Sequence, residues 1–314
     1  MFRLPLALVA LVALAVATSH AAEFSLEQNS GGVRVLLDGE LFTEYLTNAG
    51  PKPYLWPIIG PGGKAMTRSY PMRDIAGEKR DHPHHRSLWF THGDVNGVDF
   101  WLEGKEGGKI VHRGFTEVSA TPVPRFTAQS DWVAPDGKKV CTDERRLAFH
   151  ADGDARVIDF DITLFASEGP VVLGDTKEGS FGVRVPTSMD VDQQEGVPGG
   201  RIVNSEGETD AAAWGRPASW VDYYGPVDGE TLGIAILNHP RSFRFPTHWH
   251  VRTYGLFAAN PFGLHDFYNA AEKDGSHRIE QGESITLRYR VIFHRGDERE
   301  GKIAEAFEAY SQTP

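Results

Sequence analysis

The sequence contains very little cysteine and, after residue 18, no long apolar run. Cys141 is the only cysteine, so an intramolecular disulfide is impossible and the fold must be stabilised by packing. No later segment approaches the roughly 18–20 consecutive apolar residues that a membrane helix needs, which predicts no integral membrane association. The formal net charge of −11 argues against nucleic acid as a partner.

Several catalytic signatures are also missing. The chain has no G-x-S-x-G elbow, no phosphate-binding loop, no dinucleotide fingerprint and no H-E-x-x-H sequence. These absences exclude the serine hydrolases of the α/β-hydrolase type, the nucleotide-dependent enzymes with those loops, and the zincin metalloproteases.

The N-terminus has the pattern of a Sec signal peptide. Arg3 precedes an apolar run over residues 4–18, and Ser19 and Ala21 are small residues at the −3 and −1 positions. The sequence therefore predicts a signal peptide over 1–21, export to the periplasm or medium, and a single domain over 22–314.

Residues 158–164 and 285–293 alternate apolar and polar side chains, as half-buried strands do. Similar strands are predicted at 33–37, 109–120, 126–133, 144–150, 181–185, 202–204, 219–223 and 232–238. The proline-rich segment 50–72 is interpreted as a loop, and only Ile303, Phe307 and Tyr310 have the spacing of a helical face. This pattern favours an all-β fold: a large antiparallel two-sheet β-sandwich with a short C-terminal helix.

Four of the thirteen histidines lie in segment 81–94. His82 and His84 would point to one side of an extended chain and His85 to the other. Such a cluster suits either a divalent metal or a polyhydroxylated ligand.

This histidine cluster lacks a convincing carboxylate base, and two further segments add candidate bases and a second pair of histidines. Between glycines 174 and 182, Asp175 and Glu178 are candidate bases, with Lys177 and Arg184 beside them. In segment 238–252, His248 and His250 are two residues apart and would face the same side of a strand. We expect the fold to bring the three segments into one composite site.

The candidate residues fall into groups by role. Acid or base catalysis is assigned to Asp175, Glu178, His92, His248 and His250. Substrate binding is assigned to His84, His85, Arg86, Asp94, Lys177, Arg184, Asp222, His239, Arg244 and Asn260, with Tyr54, Arg68 and Tyr70 as secondary candidates. A divalent metal, if bound, would use His82, His84, His248 and His250.

Several motifs together resemble a known family. They are Asp81 to Arg86, Leu88 to Phe90, His92 to Gly97, Asp175 to Gly179 and Tyr254 to Gly263. In this order they resemble the bacterial family labelled PmoA or methane oxygenase. The resemblance implies an exported protein of carbohydrate-degrading bacteria with a β-sandwich similar to galactose mutarotase, a fold that hosts histidine–carboxylate chemistry on sugars.

The leading hypothesis is an exported carbohydrate-active enzyme that acts on a glycoside, a sugar or a keto-sugar by hydrolysis, elimination or epimerisation. A metal-dependent hydrolase or lyase is the second hypothesis, and a non-catalytic carbohydrate-binding protein is the third. The expected partner is a small carbohydrate. The sequence leaves the oligomeric state open.

Overall fold

The computed structural model describes residues 22–314, so the predicted signal peptide at 1–21 lies outside the described residues. Eighteen strands form within this range. They are β1 Phe24–Asn29, β2 Gly32–Leu37, β3 Glu40–Leu46, β4 Tyr54–Ile58, β5 Leu88–His92, β6 Lys109–Ser119, β7 Arg125–Val133, β8 Lys139–Asp152, β9 Ala155–Phe165, β10 Val171–Leu173, β11 Gly179–Arg184, β12 Arg201–Asn204, β13 Trp220–Val227, β14 Glu230–Asn238, β15 Trp249–Val251, β16 Leu256–Ala259, β17 His277–Ile279 and β18 Ser284–Arg295. The helices are α1 Leu264–Tyr268 and α2 Ile303–Ser311.

Two large antiparallel sheets carry the fold. Sheet 1 has the strand order β1-β2-β3-β4-β5-β11-β16-β15, and sheet 2 has the order β12-β13-β14-β18-β9-β8-β7-β6. Strands β10 and β17 form a small separate pair. The predicted all-β two-sheet sandwich with a short C-terminal helix is confirmed. No helix among residues 22–314 is long and apolar enough to span a bilayer.

The two sheets share one apolar core. Phe181 of sheet 1 stacks on Tyr289 of sheet 2 with ring centroids 4.6 Å apart, and Phe160 of sheet 2 packs 5.0 Å from the Phe181 ring. Aromatic burial of this kind contributes much of the free energy of folding, since each ring removes a large apolar area from water. Part of the outer face of sheet 2 is covered by α2, whose Ile303 and Tyr310 pack on that sheet.

The interpretation of 50–72 as a loop is wrong for Tyr54–Ile58, which forms β4 despite Pro57. The register with β3 shifts within this strand: Tyr45 pairs with Leu55, whereas Thr43 pairs with Ile58. A proline fits at such an irregularity because no ladder hydrogen bond is required of its nitrogen.

Candidate functional site

Five side-chain positions form a row across the outer face of sheet 1. The strand register places Tyr54 beside Trp89, Trp89 beside Gly182, Gly182 beside Ala258 and Ala258 beside His250. Their strand neighbours, including Phe90, Phe181 and Trp249, point the other way into the shared core. Strand alternation therefore puts His250, like Trp89, on the side of sheet 1 that faces away from sheet 2.

Segment 81–85 lies over this row and builds a stack of four rings. His82 stacks on Tyr254 at 5.2 Å and on His85 at 4.8 Å, in each case with 6° between the ring planes. His85 in turn stacks on Trp89 at 5.4 Å. We call the surface formed by His82, His84, His85, Trp89, Trp101, Arg184, His250 and Tyr254 the histidine face.

An ion-pair network fixes one side of the histidine face. Asp81 accepts hydrogen bonds from Arg68 and from Arg184 Nη2, the latter at 3.0 Å. Burial alone would raise the pKa of Asp81, but Arg184 and Arg68 outweigh it and hold the pKa below its usual value. The Arg184 side chain is 1% exposed and also donates from Nη1 to His85 Nδ1 at 3.2 Å. Asp81 is therefore held in place as the shared counter-ion of Arg68 and Arg184.

Three histidines of this surface, His84, His85 and His250, are uncharged at neutral pH. Burial lowers the pKa of His250 to about 3 and that of His84 to about 4, with neighbouring cations acting in the same direction. His85 has a pKa well below its usual value for the same reason. Their imidazoles therefore serve as hydrogen-bond donors and acceptors at neutral pH, and none of them holds a spare proton.

His82 Nδ1 is buried without a hydrogen bond but lies 3.1 Å from an Asp81 oxygen. Four other buried polar atoms on the histidine face have neither a hydrogen-bond partner nor an ion-pair contact within residues 22–314. They are Trp89 Nε1, Trp101 Nε1, Arg184 Nε and His250 Nδ1. A buried donor without a partner costs on the order of 1–3 kcal/mol, so native structures satisfy such atoms with water or a ligand. Other buried polar atoms without a partner lie elsewhere in residues 22–314, for example on Ser130, Trp214 and Tyr289, but four of them meet on this surface, which makes it a candidate place for an external polar molecule.

The turn that precedes β11 brings Lys177 and Glu178 to the edge of this surface. Glu178 Oε1 lies 3.0 Å from Lys177 Nζ, and both side chains are about one-third exposed, at 34% and 39%. Glu178 also acts electrostatically on Tyr254, and Lys177 on His250. These interactions bring Glu178 within electrostatic range of Tyr254 and Lys177 within range of His250, and the composite site of His82, His250 and Glu178 stays a prediction.

Two predicted site residues hold this turn in place. Asp175 accepts from the backbone amides of His265 and Gly275 at 3.0 and 2.5 Å, and so anchors the turn to the start of α1. Asn260 is buried and donates to the carbonyl oxygens of Thr176 and Lys177 at 2.9 and 3.0 Å. Asp175 and Asn260 therefore position this turn. Both oxygens of the Asp175 carboxylate already accept hydrogen bonds from backbone amides, which argues against its predicted role as a base.

Other predicted residues have their polar atoms occupied within the chain. His92 donates from Nε2 to the Gly174 carbonyl at 2.8 Å, and its Nδ1 lies 3.3 Å from the Ser180 hydroxyl. His248 contacts the Tyr268 hydroxyl at 3.1 Å. Burial lowers the pKa of both histidines to about 4. Neither is available as an acid.

Three more have structural partners. Arg244 donates to the carbonyl oxygens of Pro261, Gly275 and Ser276, and clamps that loop. Arg86 forms a two-pronged pair with Glu103, with both distances 2.7 Å. Asp94 accepts from the backbone amide of Gly97 at 2.8 Å, as a turn residue does.

Asp222 and His239 belong to the opposite side of the molecule. Asp222 lies on β13 of sheet 2 and is paired with His294 Nε2 at 3.0 Å. His239 follows β14 of the same sheet, and its ring packs 4.9 Å from Tyr310 of α2. The prediction of one composite site is wrong for these two residues, because their strands belong to sheet 2.

The four-histidine metal site is not assembled. In the described chain no group of three or more His, Cys, Asp or Glu side chains is placed to hold one metal ion. His82 and His84 remain close, with ring centroids 5.7 Å apart, whereas the Nε2 of His248 is turned to Tyr268.

Three residues of the histidine face were not among the predicted site residues: Trp89, Trp101 and Tyr254. Arg252, beside this face, was not predicted either. The ring of Tyr254 is contacted by the guanidinium groups of Arg184 at 5.2 Å and Arg252 at 5.4 Å. The available signal was the spacing of His250 and Arg252, since residues two apart on an extended chain face the same side.

The outer face of sheet 2 has a cleft of about 690 Å³ that is rich in charge. Most of its charged groups are paired: Arg125 with Glu117, Arg146 with Glu144, and Asp159 with the adjacent Arg290. Asp161 is the exception, since it lies 3.9 Å from Arg288 and burial raises its pKa to about 6. Because most of these charges have close partners, this cleft makes a weaker demand for a ligand than the histidine face.

Fold and surface together define a two-sheet antiparallel β-sandwich protein with a histidine-rich polar site on one outer face. The chain belongs to the family described as "Family of unknown function (DUF6807)", whose model matches residues 32–308. The resemblance to the PmoA-like family stays a prediction. No curated protein matches the chain.

Several solved structures are similar to this chain at low identity. A galactose mutarotase related enzyme from Lactobacillus acidophilus is 11% identical with a TM-score of 0.35, and the match covers 86% of this chain and 97% of that one. A GH36 α-galactosidase from Geobacillus stearothermophilus is 12% identical with a TM-score of 0.37, over 88% and 41% of the two chains. A polysaccharide lyase is 14% identical with a TM-score of 0.29 over 92% of this chain, which spans 35% of the lyase.

Proposed function

We propose that the histidine face binds a carbohydrate and catalyses a proton-transfer reaction on it. The observation that carries the proposal is the set of four buried, unpartnered polar atoms beside stacked aromatic rings. Sugars present hydroxyl oxygens to donors on one side and C–H groups to aromatic rings on the other, so a sugar would satisfy both parts of this surface.

The chemistry follows from which groups can exchange a proton. Glu178 is partly exposed and ion-paired with Lys177, so it is the base in this proposal. The lowered pKa of His250 makes it a neutral imidazole that binds and orients the substrate, in place of the proton-donor role expected from the sequence. The phenol of Tyr254 is the acid. Burial raises its pKa, with partial opposition from Arg252 and Arg184, so it stays protonated at neutral pH.

The number of available carboxylates on the histidine face favours some reactions over others. Glycoside hydrolysis uses two free carboxyl groups on either side of the bond that breaks. On the histidine face Asp81 is bound by two arginines, Arg68 and Arg184, whereas Glu178 is paired with one partly exposed lysine, so Glu178 is the more available carboxylate. Elimination or epimerisation, in which one base removes a carbon-bound proton, therefore fits better than hydrolysis. Export to the periplasm or medium is also part of the proposal.

The test is turnover of a panel of glycosides, aldoses, keto-sugars and sugar acids by the purified protein. We expect Glu178→Gln and His250→Asn to lower kcat/KM by about 100-fold or more, since each removes a group that acts in the transition state. The matched controls are Glu280→Gln, where the acid is paired with Arg278 on the surface, and His265→Asn at an exposed histidine.

The outcomes separate the alternatives. Unchanged turnover in both Glu178→Gln and His250→Asn would contradict the assigned roles. Sugar binding without turnover of any substrate would identify a carbohydrate-binding protein. Activity that is lost with a chelator and restored by one divalent metal would favour the metal-dependent hypothesis.

A further inference from the structure

Arg252 is the cation on this surface that lacks an anion. Its guanidinium lies between two aromatic rings, 5.7 Å from the centre of Trp214 and 5.4 Å from that of Tyr254. Within residues 22–314 it forms no ion pair. The other cations are matched: Arg68 and Arg184 share Asp81, and Lys177 has Glu178.

The cations around Tyr254 other than Arg252 have carboxylates beside them. Arg68 and Arg184 share Asp81 and also interact with Glu78 and Asp190, and Lys177 interacts with Glu178 and Asp266. The neighbouring histidines add no charge, because the lowered pKa values of His84, His85 and His250 keep them neutral. Arg252 is therefore the positive charge on this surface whose counter-ion an external anion can supply.

We propose that the substrate is an acidic sugar, and that Arg252 binds its carboxylate. This inference rests on the proposed function and specifies its substrate class. A guanidinium donates two parallel hydrogen bonds to a carboxylate, and the flanking rings of Trp214 and Tyr254 restrict its plane.

The position of Arg252 agrees with this role. His250 lies on β15 and Arg252 follows two residues later, so both side chains lie on the outer side of sheet 1. Arg252 is the strongest electrostatic neighbour of His250, and it also acts on Lys177. A sugar bound beside Tyr254, whose ring already contacts His82, Arg184 and Arg252, would then have its carboxylate at Arg252 and its hydroxyl groups towards His250.

The experiment compares sugars that differ only in charge. Glucuronate is paired with glucose and with methyl glucuronate ester, and galacturonate is paired with galactose, and each affinity is measured by calorimetry. For the unmodified protein we expect the acid to bind at least about 10-fold more tightly than its neutral partners, as a charge-assisted bidentate contact provides. This preference should weaken at 0.5 M salt.

Variants test whether Arg252 is responsible. Arg252→Gln should reduce the acid-to-neutral affinity ratio to about two or less, and Arg252→Lys, which keeps the charge without the planar fork, should give an intermediate ratio. Arg278→Gln, at an exposed arginine of β17, is the control and should leave the ratio unchanged. The thermal midpoint of each variant reports whether the fold is intact.

The results distinguish this inference from the proposed function. Equal binding of acidic and neutral sugars, or an unchanged ratio in Arg252→Gln, would overturn the acidic-sugar assignment and leave sugar binding in place. If no sugar in the panel binds, the proposed function fails, and the inference fails with it.

Discussion

Asp222 and His294 have the chemistry of a catalytic pair but are buried inside the protein, with Gly301 of the turn before α2 packed against the His294 ring. His294 Nε2 is 3.0 Å from Asp222 Oδ1, and both side chains are almost fully buried. Burial alone would lower the pKa of His294, but the charge and hydrogen bond of Asp222 outweigh it and raise that pKa. The pair has the character of a buried ion pair that depends on both of its members.

Replacing His294 with leucine should therefore destabilise the protein severely. The substitution leaves the Asp222 carboxylate buried without its counter-ion, which costs about 3–5 kcal/mol in comparable cases. Urea unfolding of His294→Leu measures the loss. The double variant Asp222→Asn/His294→Leu should recover part of it.

The control is His265→Leu, because His265 is exposed. Its free energy of unfolding should change by less than about 0.5 kcal/mol, as surface substitutions usually do. Equal stability of His294→Leu and the unmodified protein would contradict a buried charged pair.

At the scale of single elements, the turn before β11 depends on a residue outside it. Asn260, just after β16, donates to the carbonyl oxygens of Thr176 and Lys177 from across the sheet. Asn260→Ala should lower the free energy of unfolding by about 1–3 kcal/mol, because two carbonyl groups lose their donor. It should also lower kcat, since Glu178 shares the same turn.

Measuring kcat and the thermal midpoint together separates the two effects. Asn48→Ala is the control, because Asn48 makes one long hydrogen bond on the exposed surface. Asn260→Ala with normal kcat at a temperature where it is fully folded would contradict the positioning role.

The strands that the sequence predicts best are those with one face in the core and one in solvent. β9 and β18 show clear alternation, and both are present over the predicted segments. β5 and β16 lack that signal because both of their faces are buried, the outer one beneath segment 81–85 and Tyr254. β4 was missed because proline usually argues against a strand.

Part of the site was predictable because its polar residues are clustered in the sequence. Sequence chemistry identified His82, His85, Arg184 and His250 as polar residues in unusual clusters. It could not show that Asp222 belongs to the other sheet, since that depends on strand pairing over long separations. The stack of Trp89, His85, His82 and Tyr254 also arises only from the tertiary fold.

At the scale of the whole molecule, the buried neutral histidines make stability depend on pH. The pKa is lowered to about 4 for His84, His92 and His248 and to about 3 for His250, and that of His85 lies well below its usual value. In the unfolded chain these groups take up protons near pH 6.5, whereas the folded protein keeps them neutral.

The unfolded state therefore binds more protons below pH 6.5, and stability should fall as the pH decreases from about 6.5 to about 4. Each histidine contributes up to about 1.4 kcal/mol per pH unit over that window. Three groups with raised pKa values act in the opposite direction: His294, and Asp161 and Asp190 with pKa values of about 6. Urea midpoints at pH 7.5, 6.0 and 5.0 measure the slope, and equal midpoints would contradict the model of buried neutral imidazoles.

Cys141 lies on β8 of sheet 2 and is buried in the core between the two sheets. Burial raises the pKa of its thiol far above the usual value. A thiol in this state reacts poorly with alkylating reagents, because the thiolate is the nucleophile. A cysteine introduced on the surface would thus be the one readily labelled position in residues 22–314. Spectroscopic probes can therefore be attached beside the histidine face, for instance at an exposed position of segment 73–77, without removing the native cysteine.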